Sequence, residues 1–163
     1  LIGLMEQANC VVKQALWSNP FTKGPVQSAG YILNAGSEQF IQDCVHKLQQ
    51  DHAASLLIFP EGTRTAKGEQ LNEFQRGAAN IALRAGVPIR PVLISCTPST
   101  LTKNEKWYHI PEQPFHIHVK VLDAIQVEDV LDDVTVNPKN VRQLNQQLQW
   151  FFNQELSLND ESC

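Results

Sequence analysis

The spacing of apolar positions changes from segment to segment along the chain, and that spacing predicts the elements. Cys10-Val11-Val12 is a short strand candidate and Gly30-Tyr31-Ile32-Leu33 a second. Between them, Asn19-Pro20 and Gly24-Pro25 punctuate a loop. Ser37 is placed to cap a helix whose apolar residues Phe40, Ile41, Cys44, Val45 and Leu48 share one face. Leu56-Leu57-Ile58-Phe59 is a continuous apolar run, the pattern of a strand buried on both faces. A polar loop, Pro60–Gly68, follows. Gln75–Ala85 then reads as a small-residue helix, with Gly86 as its stop and Pro88 just beyond.

Ile89–Ser95 predicts another apolar strand. Thr97–Pro114 is a long irregular connection, of the kind that often carries function. Phe115, Ile117, Val119 and Val121 alternate with His116, His118 and Lys120, as in a half-exposed edge strand. Asn137 and Pro138 occupy the cap and first position of a last helix. Its stripe is Val141, Leu144, Leu148, Phe151, Phe152 and Leu156, and Trp150 falls off that stripe. The alternation of strands and helices predicts an α/β fold, with a mainly parallel or mixed sheet flanked by helices.

Composition narrows this picture. At 163 residues, 42% hydrophobic and 18% charged, the chain suits one globular domain rather than a disordered segment. Its longest apolar run, Leu56–Phe59, is far short of the roughly 20 residues a membrane-spanning helix needs. Leu1–Asn9 lacks the basic start of a secretory leader. Leu1 is not an initiator Met, and Leu1–Met5 reads as the end of an element already under way, so a fragment or processed product is expected. Cys10, Cys44, Cys96 and Cys163 show no metal-ligand spacing. Buried free thiols of a reducing cytoplasm are expected of them, with two disulfides as the arithmetical alternative.

The net charge of −4 is unevenly placed: residues 1–122 carry +2 and residues 123–163 carry −6. A phosphate-rich partner therefore suits the first two-thirds and not the tail. No basic stripe interleaved with aromatics is present, which speaks against nucleic-acid binding.

Phe59-Pro60-Glu61-Gly62-Thr63-Arg64 is the segment with the most chemistry. It leaves a predicted parallel strand at its carboxyl end, where ligands of such sheets gather. Arg64 offers a planar fork of donors suited to phosphate. Gly62 allows close backbone approach, and Thr63 adds a donor. Glu61 can orient Arg64 or accept a bond from a substrate hydroxyl. The structural alternative is an exposed turn with a Glu61–Arg64 ion pair. The loop does not continue as a Walker A motif, because Glu69 stands where a Lys is needed. Lys67, Arg76 and Arg90 flank the segment and can add positive potential for phosphate or coenzyme A, or can be ordinary surface charges.

Phe59–Arg64 resembles the FPEGTR signature of the 1-acyl-glycerol-3-phosphate acyltransferase family, the glycerolipid acyltransferases. Phe74-Gln75-Arg76-Gly77-Ala78-Ala79 is similar to the family's Phe-x-x-Gly helix start, and Val87-Pro88-Ile89-Arg90-Pro91-Val92 to its Val-Pro-Ile-x-Pro-Val segment. Upstream, Lys13, Pro20, Gly24 and Gly30-Tyr31-Ile32 fall where the family approaches its second motif. That motif, Gly-x-x-Phe-Ile-x-Arg, is met here by Ser28–Asn34, with Asn34 in place of the Arg. The exchange removes a phosphate contact that the resemblance implies, and points away from a simple glycerol-phosphate acceptor.

The family's first motif, His-x4-Asp, is expected upstream of Leu1. In the family that His is the general base on the acceptor hydroxyl and the Asp orients it. No catalytic residue is therefore assigned within this chain, which is expected to be inactive alone. His46 and Asp51 have the same spacing, but five residues of helix turn about 500° and leave the two side chains about 140° apart. They also follow the second motif, which is the wrong order.

The resemblance implies a glycerol-3-phosphate acyltransferase-like fold, with residues 1–163 as a single acyltransferase domain lacking its N-terminal part. It implies transfer of a fatty acyl group from acyl-CoA or acyl-carrier protein to the hydroxyl of a lysophospholipid such as 1-acyl-glycerol-3-phosphate. Glu61, Gly62, Thr63 and Arg64 would hold the acceptor head group, and no cofactor beyond the thioester co-substrate is expected. A cytoplasmic enzyme, peripheral on the inner face of the membrane, is the implied setting. Trp17, Phe21, Trp107 and Tyr108, near Lys13, Lys23, Lys103 and Lys106, suit a lipid interface, with core packing and loop anchoring as alternatives. Two other readings stay open: a non-catalytic lipid- or anion-binding domain of the same fold, and an acyltransferase for a different lipid acceptor. His116 and His118, even with His109, lack a completing ligand for a metal. Glu128, Asp129, Asp132 and Asp133 read as a solvated acidic turn, without the Gly and Glu of a calcium loop.

Overall fold

Strand β1 (Ala8–Lys13) sorts its side chains by parity, and the first half of the fold is arranged around that sorting. The computed structural model describes residues 8–34, 36–51, 53–66, 68–100, 102–103 and 112–160. β1 pairs in parallel with β2 (Ile32–Asn34) on one side and β3 (Ser55–Leu57) on the other. Val11, Ile32, Leu56 and Ile58 pack against one apolar cluster, and Cys10, Val12, Tyr31 and Leu57 against another. Both faces are thus covered, as the Leu56–Phe59 run predicted. The coverage is partial, however: Leu56, Leu57 and Ile58 are half-buried, and Phe59 is 54% exposed where the chain turns into its loop.

Helix α1 (Gln14–Ser18) and helix α2 (Pro20–Ser28) occupy the segment predicted as a loop. Asn19 caps α2 by accepting a bond from Phe21 N at 2.9 Å, and Pro20 takes the first helical position, where a missing N–H costs nothing. Gly24 and Pro25 are poor interior residues. The helix forms despite them because Val26 is buried with Cys10 and Val12, and Trp17 packs on the same cluster. Trp17 is therefore core packing, whereas Phe21 is 89% exposed. Trp107 and Tyr108 lie outside the described residues, as do Lys67, His109 and Cys163.

Helix α3 (Glu38–Gln50) begins where Ser37 Oγ accepts from Phe40 N, and it buries Phe40, Ile41 and Cys44 as its stripe predicted. Helix α4 (Gly77–Ala85) adds Ile81 to that cluster and ends at Gly86, whose φ of 63° is the left-handed stop. The second core joins α4 to helix α5 (Pro138–Asp160) through Phe74, Ala82, Leu83, Leu144 and Leu148, with Val127 and Leu131 from the intervening chain. Asn137 caps α5 at Asn140 N, 2.8 Å. Buried Asn140 in turn donates to the carbonyls of Asp133 and Thr135.

Strands β4 (Val92–Thr97) and β5 (His116–Val121) form a separate antiparallel pair, so the sheet structure is mixed. β5 departs from the half-exposed edge that its alternation predicted, because all six of its residues are exposed. Its register sets Ile117, Val119 and Val121 opposite Cys96, Ile94 and Val92 on one face. No described core cluster includes that face. On the other face Lys120 reaches Glu155 of α5 at 3.2 Å. No helix among the described residues is long and apolar enough to cross a membrane.

Cys10, Cys44 and Cys96 are free thiols. Burial, with the neighbouring Asp43 charge, pushes the Cys44 thiol up to about 11, and burial raises Cys10 as well. Only the thiolate attacks a disulfide reagent. At pH 8, Cys96 is expected to react promptly with Ellman's reagent while Cys10 and Cys44 react only after unfolding, as peptide mapping of the labelled protein will show.

Candidate functional site

Parallel strands bring their carboxyl ends to one edge of a sheet. Along that edge stand Lys13 at the end of β1, Asn34 at the end of β2 and the Phe59–Arg64 loop just beyond β3. Lys13 and Asn34 are register partners on adjacent strands. Lys13, predicted only as a landmark of the second motif and a neighbour of Trp17, puts a cation beside the position where Asn34 replaces the family's Arg. Asn34 is exposed, and its Oδ1 accepts from Gly36 N at 3.0 Å.

The loop opens with a turn in which Gly62 N donates to Phe59 O at 3.0 Å, with Pro60 and Glu61 at the corner. Gly62 has a φ of 64°. A Cβ there would meet only Gln75 Cγ at 3.6 Å, so the requirement for glycine is conformational rather than steric. Thr63 and Arg64 are exposed, whereas Glu61 is half-buried.

Glu61 is bonded within its own loop and to the segment that returns beneath it. Its Oε2 accepts from Asn72 N at 2.8 Å, Asn72 Nδ2 at 2.7 Å and Thr65 Oγ1 at 3.1 Å. Among its described contacts the partners of Glu61 are therefore Asn72 and Thr65, not Arg64. A carboxylate with three donors on one oxygen fastens both ends of the loop it sits in. A second fastening comes from Gln75 N, which donates to Pro60 O at 2.8 Å.

The returning segment is held in turn by α5. Gln149 Oε1 accepts from Phe74 N at 2.7 Å, and Gln149 Nε2 donates to Asn72 O at 3.3 Å. One turn earlier on the helix, Asn145 Nδ2 donates to Phe74 O at 3.1 Å. Phe74 is buried and meets Phe152 edge-on at 5.2 Å. Sequence reading missed Asn72, Asn145 and Gln149. The available signal was an Asn/Gln pair four residues apart, flanking the buried positions Leu144 and Leu148.

The flanking cations divide. Arg76 follows Gln75 and is exposed at the start of α4, so it is brought next to the loop. Arg90 instead donates to Leu122 O at 3.3 Å, on the backbone just past β5. Lys67 lies outside the described residues. His46 is exposed on α3, and Asp51 Oδ1 accepts from Ala53 N at 2.9 Å, so the pair forms no dyad. His118 and Asp123 share the same spacing. β5 carries the chain about 10 Å from His118 to Val121, at about 3.3 Å per residue, before it leaves for Asp123. Among the described residues no three His, Cys, Asp or Glu side chains converge as a metal site would require.

Replacing Glu61 by Ala orphans three donors and is expected to lower stability by about 1–3 kcal/mol in urea unfolding. Gly62→Ala is expected to cost about 1–2 kcal/mol through its left-handed backbone alone.

A family model described as Acyltransferase matches residues 5–95. The chain is 36% identical over 86 residues to 1-acyl-sn-glycerol-3-phosphate acyltransferase alpha of Mus musculus, covering 52% of this chain and 29% of that protein. It is 37% identical over 75 residues to 1-acyl-sn-glycerol-3-phosphate acyltransferase of Cocos nucifera, covering 46% of this chain and 23% of that one. The chain thus spans less than a third of the length of either relative. Its fold is similar to that of the crystal structure of the 1-acyl-sn-glycerophosphate (LPA) acyltransferase PlsC of Thermotoga maritima. The TM-score is 0.67 at 20% identity, over 96% of this chain and 59% of that one. With the signature loop on the carboxyl edge of its parallel strands, and a family match over more than half its length, the chain belongs to the acyltransferase family.

Proposed function

We propose that this chain supplies the acceptor-binding part of an O-acyltransferase. That enzyme moves a fatty acyl group from an acyl-thioester, acyl-CoA or acyl-carrier protein, to the free hydroxyl of a lysophospholipid such as 1-acyl-glycerol-3-phosphate. The observation that carries the reading is the exposed Thr63–Arg64 tip of a loop locked from behind by Glu61, on the carboxyl edge of three parallel strands. In the reaction the acceptor oxygen attacks the thioester carbonyl carbon, the C–O bond forms and the C–S bond breaks. The hydroxyl proton leaves through a general base and ends on the departing thiol.

The chain's own residues bind and orient. Arg64 presents its fork to the acceptor phosphate, with Lys13 and Arg76 adding positive potential from either side. Gly62 keeps the turn in a conformation that leaves the tip open. Glu61 acts on the loop rather than on the substrate. The base belongs to the His-x4-Asp motif that the resemblance places outside residues 1–163, so this polypeptide alone is expected to release no thiol. The enzyme works at the inner face of the cytoplasmic membrane, where its acceptor resides, by peripheral contact.

Asn34 favours a second reading, an acceptor other than 1-acyl-glycerol-3-phosphate. Its side chain closes its own turn onto Gly36 and brings no charge to the edge.

An acceptor panel in the full-length protein, read as thiol release from acyl-CoA, tests both. The expected result is release dependent on 1-acyl-glycerol-3-phosphate, with Arg64→Ala raising the acceptor KM by about tenfold or more and leaving the donor KM near its original value. If an uncharged lysolipid is preferred, and Asn34→Arg shifts the preference toward the phosphate acceptor, the second reading holds. Thiol release indifferent to every acceptor defeats both.

A further inference from the structure

Gln149 treats the backbone of residues 72–74 as a neighbouring strand would: its carboxamide donates to the carbonyl of Asn72 and accepts from the N–H of Phe74. Asn145, on the same face of α5, takes the Phe74 carbonyl. Three backbone groups of an irregular segment are thereby satisfied by two side chains of one helix. The segment they hold carries both donors of Asn72 that fix Glu61, and the Gln75 N–H that fixes Pro60. The path from α5 to the loop is an unbroken series of hydrogen bonds of 2.7–3.3 Å.

We infer that Gln149, assisted by Asn145, is a positioning residue of the acceptor site: it sets the place of Asn72, and through Asn72 the Glu61 carboxylate and the loop that presents Thr63 and Arg64. The inference rests on the acceptor-site reading above for its effect on catalysis, but not for the clamp itself. Simple helix packing does not explain the arrangement. Packing of α5 on the core is supplied by Leu144, Leu148 and Phe152, and an aliphatic residue at 149 would satisfy it. A carboxamide that bonds in both directions suits a strip of backbone that has no other partner for those groups among the described residues.

The test compares Gln149→Leu with Leu148→Ala in the full-length protein. The first removes both bonds at nearly constant volume, and the second loosens the same helix without touching the clamp. Two quantities are read well below the melting temperature: acceptor KM against donor KM, and hydrogen exchange at the Gly62 and Asn72 amides, neither of which bonds Gln149. Gln149→Leu is expected to raise acceptor KM and both exchange rates by about fivefold, the worth of one net hydrogen bond, with donor KM unchanged. Leu148→Ala is expected to lower the melting temperature without that split, and Gln149→Glu, which keeps the acceptor for Phe74 N–H, to fall between wild type and Gln149→Leu. If the wild type is active and the acceptor KM of Gln149→Leu merely follows that of Leu148→Ala, the positioning role is overturned. If the wild type transfers no acyl group to any lysophospholipid, the acceptor-site reading falls, while faster exchange in Gln149→Leu alone still establishes the clamp. Unchanged exchange at Gly62 and Asn72 overturns the clamp whatever the activity.

Discussion

The chain between Leu57 and Gly77 forms neither helix nor strand among its described residues, so its backbone polar groups have no ladder or helical turn to satisfy them. Side chains share the task with a few turn and cross-loop backbone bonds such as Gln75 N to Pro60 O. Glu61 gathers Asn72 and Thr65, and Gln149 and Asn145 gather the backbone of Asn72 and Phe74. Much else follows from that requirement. A loop that must present a glycine in a left-handed conformation and two exposed polar side chains cannot bury itself, and needs a scaffold that fixes it from behind. The scaffold is assembled from both halves of the molecule: parallel strands deliver the loop to the sheet edge, and the last helix pins its return.

This division of labour separates two kinds of polar residue that look alike in sequence. Thr63 and Arg64 are exposed at the tip, whereas Glu61, between them and the strand, is half-buried and bonded to Asn72 and Thr65. Under the proposed function, the loop divides into Thr63 and Arg64, which present to the acceptor, Gly62, which shapes the turn, and Glu61, which braces it. The cations divide in the same way: Arg76 adjoins the loop, and Arg90 is engaged with the backbone after β5.

The legible parts of the sequence were those whose physics is local. Ser37, Asn137 with Pro138, and Gly86 each mark a helix end within a few residues of the bond or backbone angle that makes it so. The parity of β1 and the stripes of α3 and α5 depend on period alone. Helix α2 was illegible because Gly24 and Pro25 are unfavourable there, and the burial of Val26 that overrides them involves Cys10 and Val12 of β1. β5 alternated correctly but gave no indication that its apolar face would stay uncovered by described residues. The bracing of the loop was least legible of all. Asn145 and Gln149 fall beside an apolar stripe, where polar residues ordinarily meet water, and their partners lie more than seventy residues away.

Those separations of 71, 75 and 77 residues also set an order of events in the making of the protein. A chain synthesised from its N-terminus can form the parallel strands and their covering helices from contacts already available, since domains begin to fold as they emerge. The loop that defines the family cannot reach its final shape at that stage. It waits on α5, made more than seventy residues later, and contacts so distant in sequence are slow to close. Until then the nascent chain carries a sheet edge with an unbraced loop, so the loop matures after the strands that deliver it.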